Sequence, residues 1–571
     1  MDNAGVALVL GEIADLLDIK GENSFKVRAY RNAAELVLVH PTDLVGVPVD
    51  ALREIPGIGK DLAVRIADIA STGDTAVHRE LLAELPASLL ALLQLQGMGP
   101  KTVGRLHSEL GVTSLDTLEA AAQAGRIRAL SGMGPKKEAL ILKALEEHRQ
   151  HAGRHLLADT AATAEQLVQR LRAAAPEAVI DAVGSLRRGA ETCGDIDILV
   201  TGADGGLMDT FVSSPGVDRV LAHGTTKSSV ALANGFQADL RLVPRESHGA
   251  AMQYFTGSKA HNIALRDRAI ALGLKLNEYG LFKASDGTVV AGATEAEVYA
   301  ALGLAWVPPE LREDRGELAA AESGTLPGLV DAHALRGDLH MHTTESDGRD
   351  SIEAMAAAAH AVGFEYIAIT DHSKALAMAN GLDETRALAH AARVRAADGA
   401  HGVRLLAGIE VDIMPDGSLD LSDDCLGALD IVVASVHSAF TQDRQQMTDR
   451  LLRAIANPNV DIIGHPSGRL LLQRAPYQYD LDAVLKAAAA AGVAMEINSQ
   501  PSRIDLNDTQ ARAAKAHGVA LVISSDAHSR QSLGLTRWGV VTARRAWLTP
   551  SDILNTRPFA DFRASLRRHR P

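Results

Sequence analysis

The sequence predicts a multidomain protein with a helical N-terminal region, an α+β middle region and a C-terminal α/β region. Residues 1–150 show helical periodicity with short glycine-containing breaks, and three of these breaks repeat one pattern. Residues 178–245 change to strand-like runs such as DIDILVT. Beyond residue 337, short apolar strands alternate with alanine-rich helical stretches, which is typical of an α/β barrel or a doubly wound sheet.

Length and composition fit a chain of three or four globular domains. The 571 residues are 47% hydrophobic and 22% charged, which excludes a disordered protein. No apolar run approaches the roughly 18 residues that a membrane span needs, and the first residues predict an amphipathic helix. The two cysteines, Cys193 and Cys425, exclude a disulfide framework and fit a reducing cytoplasm.

The net charge of −14 seems at first to argue against a nucleic-acid partner. The formal net charge, however, omits bound cations. Carboxylates that bind metal ions make the formal net charge more negative, but once their charge is balanced by the metal they do not repel DNA. Histidine is concentrated late in the chain, since 12 of the 21 histidines lie at or after His333. The acidity is therefore compatible with metal sites, and DNA affinity is expected to depend on divalent metal.

The repeat in the N-terminal region is an apolar lead-in, a Gly-x-Gly pair, a basic residue and a helix. It occurs at 52–66, 92–106 and 127–141, and each copy resembles a helix-hairpin-helix turn. Glycines leave backbone N–H groups uncovered at the start of the next helix, where a phosphate binds without sequence reading. A single copy fits a plain glycine-capped connection equally well, whereas three copies favour DNA-backbone binding. The predicted DNA-binding residues are Gly57, Gly59, Lys60, Gly97, Gly99, Lys101, Gly132, Gly134 and Lys136.

The stretch GSLRRGAETCGDIDILV at 184–200 combines a glycine turn with paired carboxylates. Asp195 and Asp197 are two residues apart at the start of a strand, so both point to one face. Asp239 in ADLRLV is placed to add a third carboxylate from a neighbouring strand. Three aspartates holding two cations such as Mg²⁺ suit in-line phosphoryl transfer, and the turn with Arg188 suits a triphosphate. An Asp-x-Asp pair alone would fit an exposed surface strand.

The C-terminal region places histidines and carboxylates at the ends of predicted strands, where an α/β barrel carries its chemistry. A lone histidine at a strand end is more often structural, and His360 and His390 are expected to be so. Nine ligands of this kind could hold three metals, and imidazole favours Zn²⁺, Mn²⁺ or Fe over Mg²⁺. The predicted ligands are His340, His342, Asp347, His372, Glu410, His437, His465, Asp526 and His528.

These motifs resemble two known families. GSLRRG, GDIDIL, DLRLV and YFTGS (254–258) resemble a family X DNA polymerase of the bacterial type, and the ordered histidine set resembles a polymerase and histidinol phosphatase (PHP) domain. The resemblance covers essentially the whole chain and implies a palm and thumb followed by a distorted α/β barrel. The implied domains are a helical DNA-binding domain at 1–85, helical fingers at 86–150, a nucleotidyltransferase palm at 151–245, a thumb at 246–318, a linker at 319–336 within the Pro- and Gly-rich stretch 305–337, and a PHP phosphoesterase domain at 337–571.

The resemblance also implies residue roles. The metal ligands of the polymerase site would be Asp195, Asp197 and Asp239, with Mg²⁺ or Mn²⁺. The nucleotide-binding residues would be Ser185, Arg188 and Gly194 on the triphosphate, Tyr254, Phe255 and Gly257 on the sugar side, and Asn262 and Arg266 on the base and template side. The PHP site would hold three Zn²⁺ or Mn²⁺ ions in the clusters His340–His342–Glu410–Asp526, Asp347–His372–His528 and His437–His465–Glu410. Apart from the resemblance, Arg469 and Lys374 lie near the motifs in sequence and fit phosphate contacts and solvated surface residues equally well.

One position departs from the family pattern. Members with 5′-deoxyribose-phosphate lyase activity use a lysine where this chain has Arg65, and a guanidinium is a poor Schiff-base nucleophile. Arg65 therefore puts the lyase reaction in doubt, and Lys60, which lies nearby in sequence, is the residue that could substitute as the nucleophile.

The implied function is a repair-type, gap-filling DNA polymerase joined to a 3′→5′ exonuclease. Its partners would be gapped or primer-template DNA and dNTPs, and the protein would be a monomer. Trimming of 3′ ends, abasic-site incision and a role in base excision repair are compatible with the PHP site. Two rival hypotheses are a small-molecule phosphatase and a DNA-binding scaffold with an inactive polymerase site. The three hairpin repeats argue against the first rival, and the three aspartates argue against the second.

Overall fold

The computed structural model describes residues 3–38, 44–55, 57–93, 95, 97–151 and 153–566. The chain divides into two compact units, residues 1–152 with 472–474 and residues 153–471 with 475–571. Within the described ranges, no helix is both long and apolar enough to cross a membrane.

The first unit is helical, as the glycine-interrupted periodicity predicts. Its helices are α1 (Asn3–Lys20), α2 (Ser24–Leu38), α3 (Val49–Arg53), α4 (Lys60–Thr72), α5 (Ala76–Glu84), α6 (Leu89–Leu92), α7 (Pro100–Leu110), α8 (Leu115–Gln123) and α9 (Pro135–His151). One apolar core contains Leu10, Ile13 and Ile58. A second core contains Met98 and Met133. The middle residue of each Gly-x-Gly is thus buried, which fixes the turn to the unit.

The second unit begins with a mixed sheet that forms the predicted palm. Its elements are β1 (His155–Leu156), α10 (Leu157–Ala174), β2 (Val179–Ala182), α11 (Gly184–Arg187), β3 (Thr192–Cys193), β4 (Ile196–Thr201), α12 (Gly206–Val212), β5 (Val217–His223), β6 (Lys227–Leu232) and β7 (Gln237–Val243). The sheet order is β2-β4-β7-β6-β5, and β4 runs parallel to β7 while its other pairs are antiparallel. Ile196, Ile198 and Val200 face an apolar core shared with α10 and α12. Period-two alternation therefore turns Asp197 and Leu199 to the opposite face.

The predicted thumb follows the palm. Its elements are α13 (His248–Thr256), α14 (Lys259–Ala271), β8 (Leu274–Asn277), β9 (Gly280–Lys283), β10 (Val289–Ala291) and α15 (Glu295–Ala301). The three strands form an antiparallel sheet in the order β10-β9-β8. Helix α13 packs on α15, and its residues Ala251 and Met252 join Leu199 in a small core on the carboxylate face of the palm sheet.

The Pro- and Gly-rich stretch 305–337, which contains the predicted linker 319–336, is a packed part of the second unit, and Ala321 and Val330 of the predicted linker are buried. It contains a 3₁₀ turn (Pro309–Leu311) and helix α16 (Glu317–Ser323). Arg312 and Glu317 are fully buried. They are tolerated there because each has a charged or polar partner: Arg312 Nη1 lies 2.6 Å from Glu295 Oε1, and Glu317 Oε1 lies 2.6 Å from His261 Nδ1.

The C-terminal part of the second unit is a parallel barrel of strands in chain order. Its strands are β11 (Gly337–Asp338), β12 (Tyr366–Ile369), β13 (Arg404–Asp412), β14 (Ile431–Ser435), β15 (Ile462–Ile463), β16 (Ala494–Asn498) and β17 (Leu521–Ser524). Its helices are α17 (Ile352–Ala361), α18 (Glu384–Ala396), α19 (Asp423–Gly427), α20 (Arg444–Ala456), α21 (Leu481–Ala491), α22 (Asp508–Ala516), α23 (Thr536–Arg545) and α24 (Phe559–Ser565). A parallel bridge between Met341 and Ala527 joins the two ends of the strand row. The alternation of apolar strands and helices thus predicted the strands correctly. Of the two folds it left open, an α/β barrel and a doubly wound sheet, the structure shows the barrel.

Alternation along these strands separates the barrel interior from the helical layer. Leu406, Val433 and Val522 belong to an interior core that also contains Phe562 of α24. Their sequence neighbours, such as Val432, belong to the larger core under the helices. Side chains two or four residues further along the same strands also face inward, and there they are polar, as at Glu410 and Ser435. The carboxyl ends of the strands therefore present polar side chains to one opening of the barrel.

Candidate active sites

The paired aspartates lie at the start of a central strand of the palm. Asp197 is on β4, and Asp195 precedes that strand. Asp239 on β7 is the register partner of Asp197 across the parallel pair. Burial, together with the charges of Asp195 and Asp239, raises the pKa of Asp197 to about 7. A half-buried carboxylate beside two like charges is a site that a divalent cation would stabilise.

The third carboxylate is held by a cation of the protein itself. Asp239 Oδ2 lies 3.0 Å from Lys227 Nζ on the adjacent strand β6, and Gln237 Nε2 donates to Asp239 Oδ1 at 3.2 Å. Among the described residues, the groups of three ligand atoms within 4.8 Å of one another are all in the histidine-rich domain. Asp197 and Asp239 therefore share one face of the sheet, and together with Asp195 they do not form such a group.

A cavity of about 430 Å³ opens beside Asp195 and Asp197. Its size is in the range of small-molecule sites. Its lining includes Gly184, Ser185, Arg188, Asp195, Asp197, Tyr254, Phe255, Gly257, Asn262 and Arg266, together with Lys259. The structure thus brings together the residues predicted for nucleotide binding, apart from Gly194, which is exposed and outside the lining. Lys259 was not among the predicted residues. The only indication of it in the sequence is that a basic residue directly follows the YFTGS motif.

The glycine turn holds two arginines against the thumb. Arg187 Nη1 and Nη2 each lie 2.8 Å from a carboxylate oxygen of Glu295. Arg188 Nε donates to Glu313 Oε1 at 3.1 Å, and its Nη1 donates to the carbonyl oxygen of Thr256 at 2.5 Å. Gly184 has φ +68°, and a Cβ there would lie 2.6 Å from Asp197 Oδ2. Glycine is therefore required at the point where the turn approaches the carboxylates.

The three Gly-x-Gly turns have the same backbone geometry. The first glycine of each is left-handed, with φ +93° at Gly57, +80° at Gly97 and +74° at Gly132. An i→i+3 hydrogen bond closes each turn, for example from Met98 N to the carbonyl oxygen of Leu95 at 3.1 Å. A left-handed residue at the third position of such a turn favours glycine there.

The second glycine of each turn leads into the next helix. Gly59 and Gly99 are the extended N-cap residues of α4 and α7, and Gly134 directly precedes α9. A Cβ on any of these three glycines would meet nothing within 4 Å. The predicted lysines Lys60, Lys101 and Lys136 are exposed in the first turn of the same helices. Each turn thus has open space at the start of its helix beside an exposed cation, as a phosphate site requires.

The position expected to carry a lyase lysine holds Arg65 on α4. Its Cζ lies 5.9 Å from the centroid of the Tyr30 ring. Lys60 begins the same helix. The surroundings of Arg65 therefore offer a cation–π contact in place of a nucleophile.

The nine predicted ligands gather at the carboxyl-end opening of the barrel. His342, Asp347, His372 and His528 form one group whose ligand atoms lie within 4.8 Å of one another. Two further groups are His340, His342 and Asp526, and His372, Glu410 and His437. His465 Nε2 lies 3.0 Å from Glu410 Oε1, which brings in the ninth residue.

The grouping differs from the predicted one in a specific way. His342 belongs to the predicted group with His340, and it also belongs to the group that contains Asp347. His372 belongs to the predicted group with Asp347, and it also belongs to the group of Glu410 and His437. Glu410 Oε2 lies 2.8 Å from His372 Nδ1 and 3.3 Å from His340 Nε2. Glu410 is therefore central to the cluster, because the inward register of β13 places its side chain between neighbouring strands.

The donor atoms of this cluster fit metal ions. His340 Nε2, His342 Nδ1, His372 Nδ1 and Glu410 Oε2 are buried and, within the part of the chain that the structure describes, make no hydrogen bond of good geometry, although His340 Nε2 and His372 Nδ1 both lie close to Glu410 Oε2. Burial, with neighbouring His372 and His528, lowers the pKa of His342 to about 4, so its ring is neutral and offers a lone pair. Buried polar atoms are normally hydrogen-bonded, and unsatisfied imidazole and carboxylate atoms facing one another indicate a transition-metal site.

Two carboxylates that orient these ligands were not predicted from the sequence. Glu496 Oε1 lies 2.8 Å from His340 Nδ1, and Asp412 Oδ1 lies 3.2 Å from His437 Nδ1. Since a carboxylate only accepts, each imidazole keeps its other nitrogen for the cluster. The signal for Glu496 was a single acidic residue within the apolar strand VAMEIN.

A further buried pair supports the loop that carries Asp347. Asp371 Oδ2 lies 2.8 Å from His390 Nε2 and accepts from Thr343 Oγ1 at 2.7 Å. Asp371 Oδ1 accepts from the Ser346 hydroxyl at 2.5 Å. His390 therefore has a structural role, in agreement with the sequence-based expectation.

The two cations predicted as phosphate contacts have other partners. Arg469 makes a bidentate pair with Glu191, at 3.1 and 2.7 Å, and Lys374 Nζ lies 2.8 Å from Glu384 Oε1. Arg503 lies closer to the cluster: its Nε is 3.9 Å from Asp526 Oδ2, and its side chain is 21% exposed. The chain thus places a different arginine beside the ligands, on the segment after β16.

Comparison with known proteins follows the same division. Residues 1–75 match the helix-hairpin-helix domain family, and residues 89–147 match the SAM-like helix-hairpin-helix tandem. Residues 158–238 match the DNA polymerase beta palm, 251–313 the DNA polymerase beta thumb, and 338–500 the PHP domain. The chain is 36% identical over 573 aligned residues to the DNA polymerase/3'-5' exonuclease PolX of Bacillus subtilis (strain 168), covering 100% of both chains. The chain belongs to the family X DNA polymerases with a PHP domain.

Other relatives match only the C-terminal part of this family X chain. A probable phosphatase of Thermoanaerobacter sp. (strain X514) is 32% identical over 233 residues, covering 38% of this chain and 89% of the relative. A probable phosphatase of Shewanella oneidensis is 35% identical over 207 residues, covering 34% and 78%. The PHP domain is therefore shared with proteins that lack the other regions of the alignment.

Proposed function

We propose that this chain is a repair-type, DNA-directed DNA polymerase that also carries a metal-dependent 3′→5′ exonuclease. The observation that carries the proposal is the presence of two separate sites in one chain, the aspartates of the palm and the histidine cluster of the barrel. The full-length similarity to a polymerase/exonuclease supports it. The substrates would be dNTPs and gapped or primer-template DNA, held by the hairpin turns.

In the polymerase site, Asp195, Asp197 and Asp239 would hold Mg²⁺ or Mn²⁺. Such ions supply Lewis acidity to the attacking 3′-hydroxyl and the leaving pyrophosphate. Arg188 and the uncovered amides of the turn would bind the triphosphate, while Tyr254 and Phe255 would flank the sugar.

In the barrel, the nine ligands would hold three Zn²⁺ or Mn²⁺ ions. Such ions lower the pKa of a bound water and polarise a phosphodiester. Glu496 and Asp412 would keep His340 and His437 in the orientation that presents their free nitrogens. Arg503 would bind a non-bridging oxygen of the scissile phosphate, because it is the cation beside Asp526.

The same site suits related reactions on DNA ends. Trimming of blocked 3′ ends hydrolyses a phosphoester at a strand end, and incision at an abasic site hydrolyses one within a strand; both reactions would place the protein in base excision repair. A 5′-deoxyribose-phosphate lyase activity is not proposed, since Arg65 occupies the nucleophile position.

The separation of the two sites gives the decisive experiment. Asp195→Asn with Asp197→Asn should abolish primer extension and spare degradation from the 3′ end. His340→Ala with His342→Ala should do the reverse. If either double variant lost both activities while remaining folded, the two-site proposal would be wrong.

A small-molecule phosphatase is the second candidate, because the probable phosphatases align with the PHP domain alone. Comparing turnover of a simple phosphomonoester with that of a 3′-recessed duplex would separate the two. Faster cleavage of the phosphomonoester would favour the phosphatase. A separate primer-extension assay tests the third hypothesis: no extension with either Mg²⁺ or Mn²⁺ would favour a DNA-binding scaffold with an inactive polymerase site.

A further inference from the structure

Helix α23 of the barrel domain carries an arginine that reaches the nucleotide turn of the palm. Arg545 Nη1 donates to the carbonyl oxygen of Arg188 at 2.8 Å and to Glu313 Oε1 at 3.0 Å. Its Nη2 lies 3.0 Å from Asp508 Oδ2. The Arg545 side chain is 10% exposed, so these contacts are largely shielded from water. A residue of the PHP domain thus binds both the backbone and the counter-ion of Arg188.

Glu313 is shared between two guanidinium groups. Its Oε1 accepts from Arg188 Nε at 3.1 Å and from Arg545 Nη1 at 3.0 Å. Arg188 in turn lines the cavity beside Asp195 and Asp197. The charge that Arg188 presents to that cavity therefore depends on how far Glu313 is neutralised by Arg545.

The network carries an excess of positive charge. Asp508 Oδ2 lies 3.0 Å from Arg545 Nη2 and 3.0 Å from Arg315 Nη1. Arg188, Arg315 and Arg545 contribute three cations, and Glu313 and Asp508 contribute two anions. Removing Arg545 would leave Glu313 to pair with Arg188 alone, and the positive charge next to the cavity would fall.

Packing supports the same contact. A Cβ on Gly189, the residue after Arg188, would lie 2.2 Å from Val541 Cγ1 and 3.8 Å from Arg545 Cδ. Gly189 has φ +65°, a conformation that glycine adopts without strain. The turn that carries Arg188 is therefore seated directly on α23.

We propose that Arg545 of the PHP domain is a positioning residue for the incoming triphosphate. It fixes the Arg188 carbonyl and occupies Glu313, so that Arg188 keeps its charge for the nucleotide. This inference rests on the proposed polymerase function, and it makes the PHP domain part of the polymerase site without involving the histidine cluster.

The test is steady-state primer extension by the full-length chain carrying Arg545→Ala. The KM for dNTP should rise about tenfold, the effect expected for one charge-assisted contact, with a smaller change in kcat. Adding Glu313→Gln to Arg545→Ala should lower the KM again, because the competing carboxylate is then neutral. A merely structural role for Arg545 would not be rescued by a second substitution.

Arg544→Ala is the matched control, since Arg544 on the same helix contacts Glu310 and the Val330 carbonyl instead. It should leave the KM for dNTP unchanged. Exonuclease activity of the Arg545→Ala chain should also persist, which would show that the barrel is folded. An unchanged KM in Arg545→Ala, or no recovery in the Glu313→Gln double variant, would overturn the inference. Failure of the wild-type chain to extend primers would instead overturn the proposed function.

Discussion

Glu496 and His340 form a fully buried pair in which Glu496 Oε1 lies 2.8 Å from His340 Nδ1. The other oxygen, Oε2, accepts from the His465 amide at 2.6 Å and from Asn498 Nδ2 at 3.2 Å. One carboxylate outside the ligand set therefore orients His340 and fixes the backbone of His465. This arrangement explains how an acidic residue is tolerated within a buried, largely apolar barrel strand.

Replacing Glu496 with Gln should weaken metal binding in the barrel. The amide would offer a donor where His340 Nδ1–H and the His465 amide both need an acceptor. Metal affinity should fall about 10- to 100-fold, as for other residues that support ligands. Competition with a chelator measures this directly. Glu365→Gln is the control, because Glu365 is exposed and pairs with Arg336. Unchanged metal affinity in Glu496→Gln would contradict the proposed orienting role.

Gly184→Ala should impair primer extension more than it impairs folding. Gly184 has φ +68°, and the added methyl would also lie 2.6 Å from Asp197 Oδ2. Gly273→Ala is a matched control, since Gly273 has φ +72° and nothing within 4 Å of its Cβ position. Both variants carry a backbone cost of about 1 kcal/mol. The rate of extension should fall sharply only in Gly184→Ala, and equal losses in the two variants would show that strain alone is responsible.

Local sequence patterns predicted much of the fold. The Gly-x-Gly repeat predicts the tight turns, in which the first glycine is left-handed and the middle residue is buried. The apolar runs between helical stretches predict the parallel strands. Asp197 and Asp239 lie side by side on one face of the sheet because they are register partners on neighbouring parallel strands. These features depend on neighbours close in sequence or on one strand pair.

Contacts between distant segments could not be predicted in this way. Arg469 was a candidate phosphate contact, and its partner Glu191 is 278 positions away. The stretch 305–337 has the composition of a linker, yet Arg312 is buried because Glu295 neutralises it. Glu496 has the ordinary appearance of one polar residue in a strand. Its role depends on barrel closure, which brings β11 beside β17.

Glu295 should stabilise the palm–thumb contact in a pH-dependent manner. Burial alone would raise its pKa, but hydrogen bonds and charge from Arg187 and Arg312 lower the pKa of Glu295 to about 2 from 4.5. A lowered carboxyl pKa contributes stability above about pH 4.5, and that contribution is lost as the pH falls towards 2. Glu295→Gln should therefore lower the stability of the fold by about 3 kcal/mol at pH 7.

The difference in Tm between wild type and Glu295→Gln, measured by thermal unfolding, should shrink on acidification below pH 4.5. Glu297→Gln is the control, since Glu297 caps the same helix and pairs with neither arginine. A Tm difference that is constant between pH 7 and pH 3 would contradict the assignment of the effect to an ionised Glu295.

The three hairpin turns should bind duplex DNA through their second glycines. Gly59, Gly99 and Gly134 have open space at the Cβ position, so replacing all three with Ala meets no steric clash and should cost only about 0.5–1 kcal/mol per helix start, because Ala is a poorer N-cap than Gly. The methyl groups would stand between the helix amides and an approaching phosphate. Each amide contact is worth about 0.3–1 kcal/mol, so affinity for a duplex should fall about tenfold.

Fluorescence anisotropy with a labelled gapped duplex measures this affinity. Gly11→Ala is the control, because Gly11 lies within α1 of the same unit and its Cβ position is also open. That variant should bind DNA as wild type does. If the triple variant bound with wild-type affinity at the same salt concentration, the turns would be structural connections, and DNA binding by this chain would have to come from the palm and thumb.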